Sequence, residues 1–188
     1  MLFRSSETLD GGAGNDMLVA SAGADVLIGG AGFDTVDYSM ATAAVSVALD
    51  GSAGAGDIAA GDKLSGIEAV IGSAFGDTIT GTFSDDSLSG ADGNDLLSGG
   101  SGSDTLRGGS GDDTIAGDSG ADILDGGSGT DTASYASSGV AVTIDLGAGT
   151  ASGGDAQGDT FTSIERFVGS RVADTLIGGT GDDWFDGF

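Results

Sequence analysis

Asp95, Asp104, Asp113, Asp122 and Asp131 recur every nine residues, each two residues after a glycine. Leu97, Leu106, Ile115 and Leu124 stand two residues beyond the first four, and Ala133 closes the series. Carboxylates at such spacing among glycines can do one of two things. They can cap turns, because Asp side chains bond nearby backbone N–H groups. They can also gather round a hard cation that wants six to eight oxygens at about 2.3–2.6 Å and accepts carbonyls as readily as carboxylates. Five in one register favour the cation. Histidine and cysteine are absent, which removes most routes to zinc, copper or iron and leaves calcium as the ion that fits.

The elements that must position these carboxylates are read from the units themselves: GADGNDLLS, GGSGSDTLR, GGSGDDTIA, GDSGADILD and GGSGTDTAS, from Gly90 to Ser134 without insertion. A period of nine is too short for a helical repeat and too regular for a linker. Six turn formers followed by three strand formers predict one short strand per unit, its aliphatic pointing inward and its neighbours outward. One buried side chain cannot hold nine residues in place, so the units must stack and share a core.

The pattern GGxGxDxUx, with U a large aliphatic, resembles the RTX (repeats-in-toxin) calcium-binding nonapeptide. The resemblance implies an all-β fold, a right-handed parallel β-roll or β-solenoid in which two units make one turn and units two apart lie over one another. It also implies calcium ions between stacked loops. Each would take the second and fourth carbonyls and the sixth-position carboxylate of one unit, with the first and third carbonyls and the carboxylate of the unit two further on. Carried onto this chain, one ion would use Ala91, Gly93 and Asp95 with Gly108, Ser110 and Asp113. A second would use Gly100, Gly102 and Asp104 with Gly117, Ser119 and Asp122, and a third Gly109, Gly111 and Asp113 with Gly126, Ser128 and Asp131. Near the N-terminus Gly12, Gly14 and Asp16 with Gly29, Ala31 and Asp34 form a fourth candidate.

Among the 188 residues, thirty acidic against five basic ones give a net charge of −25, and all but three of the acids are aspartate. That balance argues against nucleic acid and anionic membrane surfaces as partners. High charge with few aromatics signals disorder, which fits the metal-free chain. Divalent cations would remove the repulsion where the turns need organising, so metal binding and folding are expected to be one event. Proline is absent, as suits strands that all need their N–H groups. No apolar run is long enough for a membrane span or a signal peptide.

Residues 1–7 match no repeat and read as the edge of a longer protein. Repeats occupy 8–37, 72–134 and 169–188, the last block ending on Gly187 and Phe188 as the start of an uncompleted unit. Between them lie two 34-residue inserts, 38–71 and 135–168, matched at an offset of 97 residues. Val45, Val47 and Leu49 match Val142, Ile144 and Leu146, and Asp62, Leu64, Ile67 and Glu68 match Asp159, Phe161, Ile164 and Glu165. Each insert is expected to continue the roll as a wider turn with longer strands, Tyr38 and Tyr135 packing at its boundary. Glu68 and Glu165 are expected on a solvated strand face or paired locally with Lys63 or Arg166. The units after each insert are degenerate, with Phe75, Ser84 and Val172 at the fourth position, and are expected to turn without a full calcium shell.

RTX proteins are typically exported in one step by type I secretion and fold on meeting external calcium, so the resemblance implies a secreted or cell-surface bacterial protein. The first expectation is a non-catalytic, calcium-dependent structural module whose partners include calcium and the secretion machinery. The alternative is an accessory module of a secreted protease, lipase or alginate epimerase whose catalytic domain lies outside these residues. No His for a triad or HExxH helix, no Cys and no GxSxG elbow is present. Carbohydrate or ice binding would ask for regular outward threonine ranks, which Thr105 and Thr114 do not extend.

Overall fold

The structure, a computed structural model, describes residues 6–187. Met1–Ser5 of the N-terminal edge and Phe188 lie outside the described residues. The chain is a stack of short strands, three to six residues long, laid alternately on two faces of a parallel β-roll. One face carries Met17–Val19, Thr35–Asp37, Ala69–Ile71, Ser87–Asp92, Thr105–Ser110, Ile123–Ser128 and Thr160–Thr162 in one parallel sheet. The other begins with Thr8–Ala13, Val26–Ala31 and Lys63–Ser65. It resumes with Ser46–Ala48, Thr78–Thr80, Leu96–Ser101, Thr114–Ser119, Thr132–Ser134, Arg166–Val168 and Trp184–Asp186.

Within the repeat blocks partners are eighteen residues apart, as Leu97↔Ile115 and Leu106↔Leu124 show. Two nine-residue units therefore make each turn. Because strand side chains alternate, one aliphatic per unit enters the core. Leu18, Val36, Val70, Leu88, Leu106 and Leu124 line up on one face and Val47, Ile79, Leu97 and Ile115 on the other, none more than 4% exposed. Burying each contributes about 1.5–3 kcal/mol, and the gain is available only to stacked units.

The inserts widen the roll by a different device from the expected one. Their strands are three residues long, and the extra chain forms a returning arm and a single 3₁₀ turn, Asp57–Ala59 or Gly154–Ala156. In the first insert Ser46–Ala48 lies on Thr78–Thr80 and Lys63–Ser65 on Val26–Ile28. The arm at Gly54–Ala55 runs between them: Ala55 bridges Ser46 antiparallel, and Gly54 N–H donates to Asp62 O at 2.8 Å. In the second insert Thr150–Ser152 pairs antiparallel with Thr143–Asp145, and Gly158 N–H reaches Ala151 O at 3.2 Å. Seven units separate the inserts, and alternate units occupy alternate faces, so the odd number sends the second hairpin to the opposite face.

A candidate metal centre between stacked turns

The consensus aspartates of stacked units form the rungs of a carboxylate ladder. The N–H of Asp77 donates to Asp95 Oδ1 at 2.7 Å, Asp95 to Asp113 at 2.8 Å and Asp113 to Asp131 at 2.9 Å. On the other edge Asp16 donates to Asp34, Asp86 to Asp104 and Asp104 to Asp122, each at 2.8 Å. The repeat makes this possible because the sixth residue is the last of the turn, in register with the sixth residue of the unit below. These side chains are buried, from 0 to 4% exposed for Asp34, Asp86, Asp95, Asp104, Asp113, Asp122 and Asp131. The ladder therefore accounts for Oδ1 of Asp34, Asp95, Asp104, Asp113, Asp122 and Asp131.

The second oxygen divides the turns into two kinds. In seven of them Oδ2 is buried with no hydrogen-bond partner: Asp16, Asp34, Asp95, Asp104, Asp113, Asp122 and Asp131. The second residue of each of those turns has positive φ, namely Gly12, Gly30, Ala91, Gly100, Gly109, Asp118 and Gly127, between 61° and 116°. Ala91 at 81° and Asp118 at 61° hold that conformation against their own Cβ, so strain and orphaned oxygen occur together. In the other turns Oδ2 is met by a donor of its own loop, although Asp86 keeps a buried Oδ1 without a partner. Ser73 donates from N–H to Asp77 Oδ2 at 2.5 Å and from Oγ to Oδ1 at 2.8 Å, and Ser170 does the same to Asp174 at 2.7 and 2.6 Å. Thr82 gives both donors to Asp86 Oδ2, at 2.6 and 2.9 Å, and Ser21 Oγ reaches Asp25 Oδ2 at 3.3 Å. A hydroxyl residue stands at the second position of these four, and the substituted fourth position, Phe75, Ser84 or Val172, accompanies it in three; a further turn closes through Gly179, whose N–H donates to Asp183 Oδ2 at 2.8 Å.

Where two open turns stack, more oxygens converge. A Cβ placed on Gly108 would strike Asp113 Oδ2 and lie 2.7 Å from Gly126 O; on Gly99 it would strike Asp104 Oδ2 and lie 2.8 Å from Gly117 O. On Gly11 it would lie 2.8 Å from both Asp16 Oδ2 and Gly29 O. The lower turn's second and fourth carbonyls point up at the turn above: Cβ atoms on Gly109 and Gly111 would collide with Ala91 O and Gly93 O, and on Gly127 and Gly129 with Gly109 O and Gly111 O. The fourth N–H of the lower turn also reaches the third carbonyl above, from Gly14 to Ala31, Gly93 to Ser110, Gly102 to Ser119 and Gly111 to Ser128, at 2.7–3.0 Å. The strand register completes the placement, with Gly12 beside Gly30, Ala91 beside Gly109, Gly100 beside Asp118 and Gly109 beside Gly127. Thus the residues singled out from sequence are brought together as four stacked pairs. No group of three or more His, Cys, Asp or Glu side chains converges among the described residues; the cradle is two carboxylates and a set of carbonyls. That donor set suits calcium, which takes all-oxygen shells.

Burial disfavours the charged carboxylate. It pushes Asp95 and Asp104 up to about 7 and Asp122 to about 6, against the opposing hydrogen bonds from the N–H groups below and reinforced by the neighbouring rungs. Asp86, Asp113 and Asp131 are raised for the same first cause.

The inserts supply rungs that the sequence reading misses. Glu68 and Glu165 are neither solvated nor engaged with Lys63 or Arg166 in the way expected. They are half-buried, and their Oε2 atoms accept the N–H of Asp34 at 2.8 Å and of Asp131 at 2.9 Å. Asp62 and Asp159 are rungs too, accepting from Asp25 at 2.8 Å and Asp122 at 3.0 Å. Their second oxygens are met by the buried phenols of Tyr38 at 3.2 Å and Tyr135 at 2.6 Å. The signal in the sequence was the shared offset of 97 residues, which carries both acids and tyrosines together.

A parallel β-roll with glycine turns, inward aliphatics and buried oxygen cradles defines a calcium-binding solenoid. The chain belongs to the RTX calcium-binding nonapeptide repeat family, whose model matches residues 4–36, 71–106, 98–133 and 159–188, about two thirds of the chain. No curated protein matches it. The family's repeats imply calcium binding in a structural module and are typical of secreted bacterial proteins. No helix among the described residues is long and apolar enough to cross a membrane.

Proposed function

We propose that this chain is a non-catalytic, calcium-dependent folding module of a secreted or cell-surface bacterial protein exported by type I secretion. The observation that carries the reading is the row of seven buried carboxylate oxygens without a donor, each in a turn whose second residue is held at positive φ. Four stacked pairs would hold the ions: the turns of Asp16 and Asp34, Asp95 and Asp113, Asp104 and Asp122, and Asp113 and Asp131. Bound calcium supplies the positive charge that these rungs lack. The chain's own part is to aim the carbonyls through glycine turns and to bury Oδ2 where it has no other use.

Net charge and folding then work together. With −25 formal charges and buried rungs that repel one another, the metal-free chain has a thin core and a strong reason to stay open. Extracellular calcium modules bind at about 10⁻⁴–10⁻³ M, a range that separates the outside of a cell from its cytosol. An unfolded chain inside and a folded one outside is the behaviour that a one-step export channel requires. The test is circular dichroism of the chain during calcium titration in buffered chelator. A coil that gains β signal with calcium supports the reading, and full β signal in chelator at neutral pH overturns it.

A further inference from the structure

We infer that the two inserts complete two additional calcium sites, in which Glu68 and Glu165 replace the upper aspartate. The inference rests on the calcium reading above and extends it to residues outside the nonapeptide pattern. At the first, the turn of Asp34 is open, with Gly30 at φ 110° and Gly32 at φ 150°, and Asp34 is 0% exposed with Oδ2 lacking any partner. Its stacked neighbour is not a nonapeptide turn but Gly66–Glu68, at the end of the first insert. A Cβ on Gly29 would lie 2.7 Å from Asp34 Oδ2 and would collide with Gly66 O. This is the convergence seen at Gly108, Gly99 and Gly11. Glu68 Oε2 takes the Asp34 N–H at 2.8 Å, the bond that an aspartate Oδ1 takes elsewhere.

The second insert repeats every part. Gly127 at φ 98° and Gly129 at φ 144° open the turn of Asp131, which is 0% exposed with a partnerless Oδ2. A Cβ on Gly126 would lie 2.6 Å from that oxygen and would collide with Ser163 O, and Glu165 Oε2 accepts the Asp131 N–H at 2.9 Å. Ser163, the counterpart of Gly66, keeps φ at 52° despite its Cβ, so the carbonyl is aimed there at the expense of backbone strain.

The residue type follows from the shorter turn. Six residues join Ile28 to Thr35 but three join Ser65 to Ala69, while Ile28 pairs with Ser65 and Thr35 with Ala69. The backbone of the upper turn is therefore drawn back, and the extra methylene of glutamate carries the carboxylate to the rung. The other two rungs of the inserts offer no such site, since the second oxygens of Asp62 and Asp159 are already taken by tyrosine hydroxyls. Each insert site offers two carboxylates and the carbonyl of Gly66 or Ser163, and in the first Gly30 O also faces the upper turn, 3.2 Å from a Cβ placed on Gly66.

The test counts ions on the intact chain by native mass spectrometry at saturating calcium, for the wild type, Glu68→Gln, Glu165→Gln and the double variant. Gln keeps an oxygen for the Asp34 or Asp131 N–H, so the ladder survives while the charge is lost. Each single variant is expected to hold one ion fewer than the wild type and the double variant two fewer. A same-size charge change at exposed positions, Asp182→Asn with Asp186→Asn, is expected to leave the count alone. A wild type that binds calcium while Glu68→Gln and Glu165→Gln keep its full count overturns the two sites and leaves the calcium reading standing. A wild type that binds no calcium overturns both. A count that falls equally in the exposed control overturns the assignment of the glutamates, because the loss then tracks net charge.

Discussion

The N–H of Asp95 donates to Asp113 Oδ1 at 2.8 Å, and Asp113 in turn donates to Asp131 Oδ1 at 2.9 Å, so one residue is a rung in both directions. Its remaining oxygen is buried and partnerless. Asp113→Asn keeps an acceptor for Asp95 and removes the charge. The calcium midpoint of folding, followed by circular dichroism, is expected to rise at least about tenfold, roughly 1.4 kcal/mol, while the β signal in chelator does not fall. An unchanged midpoint removes Asp113 from the ligand set.

Acid should partly replace calcium. Asp95 and Asp104 are raised to about 7 and Asp122 to about 6 in the folded, metal-free chain, all by burial. The unfolded value of an aspartate is about 3.9, so the folded state binds protons more tightly. The stability these groups contribute is fully present below about pH 4 and is lost as the pH rises through 6 to 7. In chelator, β signal is therefore expected to grow as the pH is lowered from 8 towards 5. In calcium the same change is expected to weaken ion binding, because protons compete for Oδ2. A chelated chain whose β signal falls on acidification contradicts the burial argument.

Whether a turn is open or closed should be transferable through its second residue. Thr82 closes its turn with two donors to Asp86, whereas Gly100, stacked above it, has φ 100° and leaves Asp104 Oδ2 orphaned. A Cβ on Gly100 would collide with Thr82 O, so Gly100→Thr has to turn its peptide over and give its donors to Asp104. Native mass spectrometry is expected to show one ion lost with the roll still formed in excess calcium. A full ion count in a folded variant means that the second residue does not decide the state.

Much of this is legible in the sequence because it depends on residue type at a fixed period. Glycine at the first position, aspartate at the sixth and an aliphatic at the eighth announce the turn, the rung and the core column. The state of the turn is less legible, since it lies in the sign of a backbone angle. Ala91 and Asp118 are open without being glycine, and Gly179 is closed, its N–H donating to Asp183 Oδ2 at 2.8 Å. Glu68 escapes notice because it joins Asp34 across 34 residues instead of eighteen. The hairpin arms are hidden for another reason: three-residue strands leave too few alternations to read, and their placement on opposite faces emerges only from counting the units between them.

The tyrosines that begin the inserts give a prediction in which calcium has no part. Tyr135 is 1% exposed, its hydroxyl donates to Asp159 Oδ2 at 2.6 Å, and Asp159 Oδ1 accepts the Asp122 N–H. Burial already lifts Asp159 to about 6, and the phenol is the hydrogen bond that opposes it most. In Tyr135→Phe the ring still fills its place, but a buried carboxylate oxygen is left without a donor, which costs about 1–3 kcal/mol. Thermal unfolding in saturating calcium is expected to move to lower temperature while the ion count stays at the wild-type value. Tyr38→Phe should do the same more weakly, because its bond to Asp62 is longer, at 3.2 Å. If Tyr135→Phe unfolds at the wild-type temperature, the phenol is packing alone. If it loses an ion, Asp159 belongs to a cradle after all.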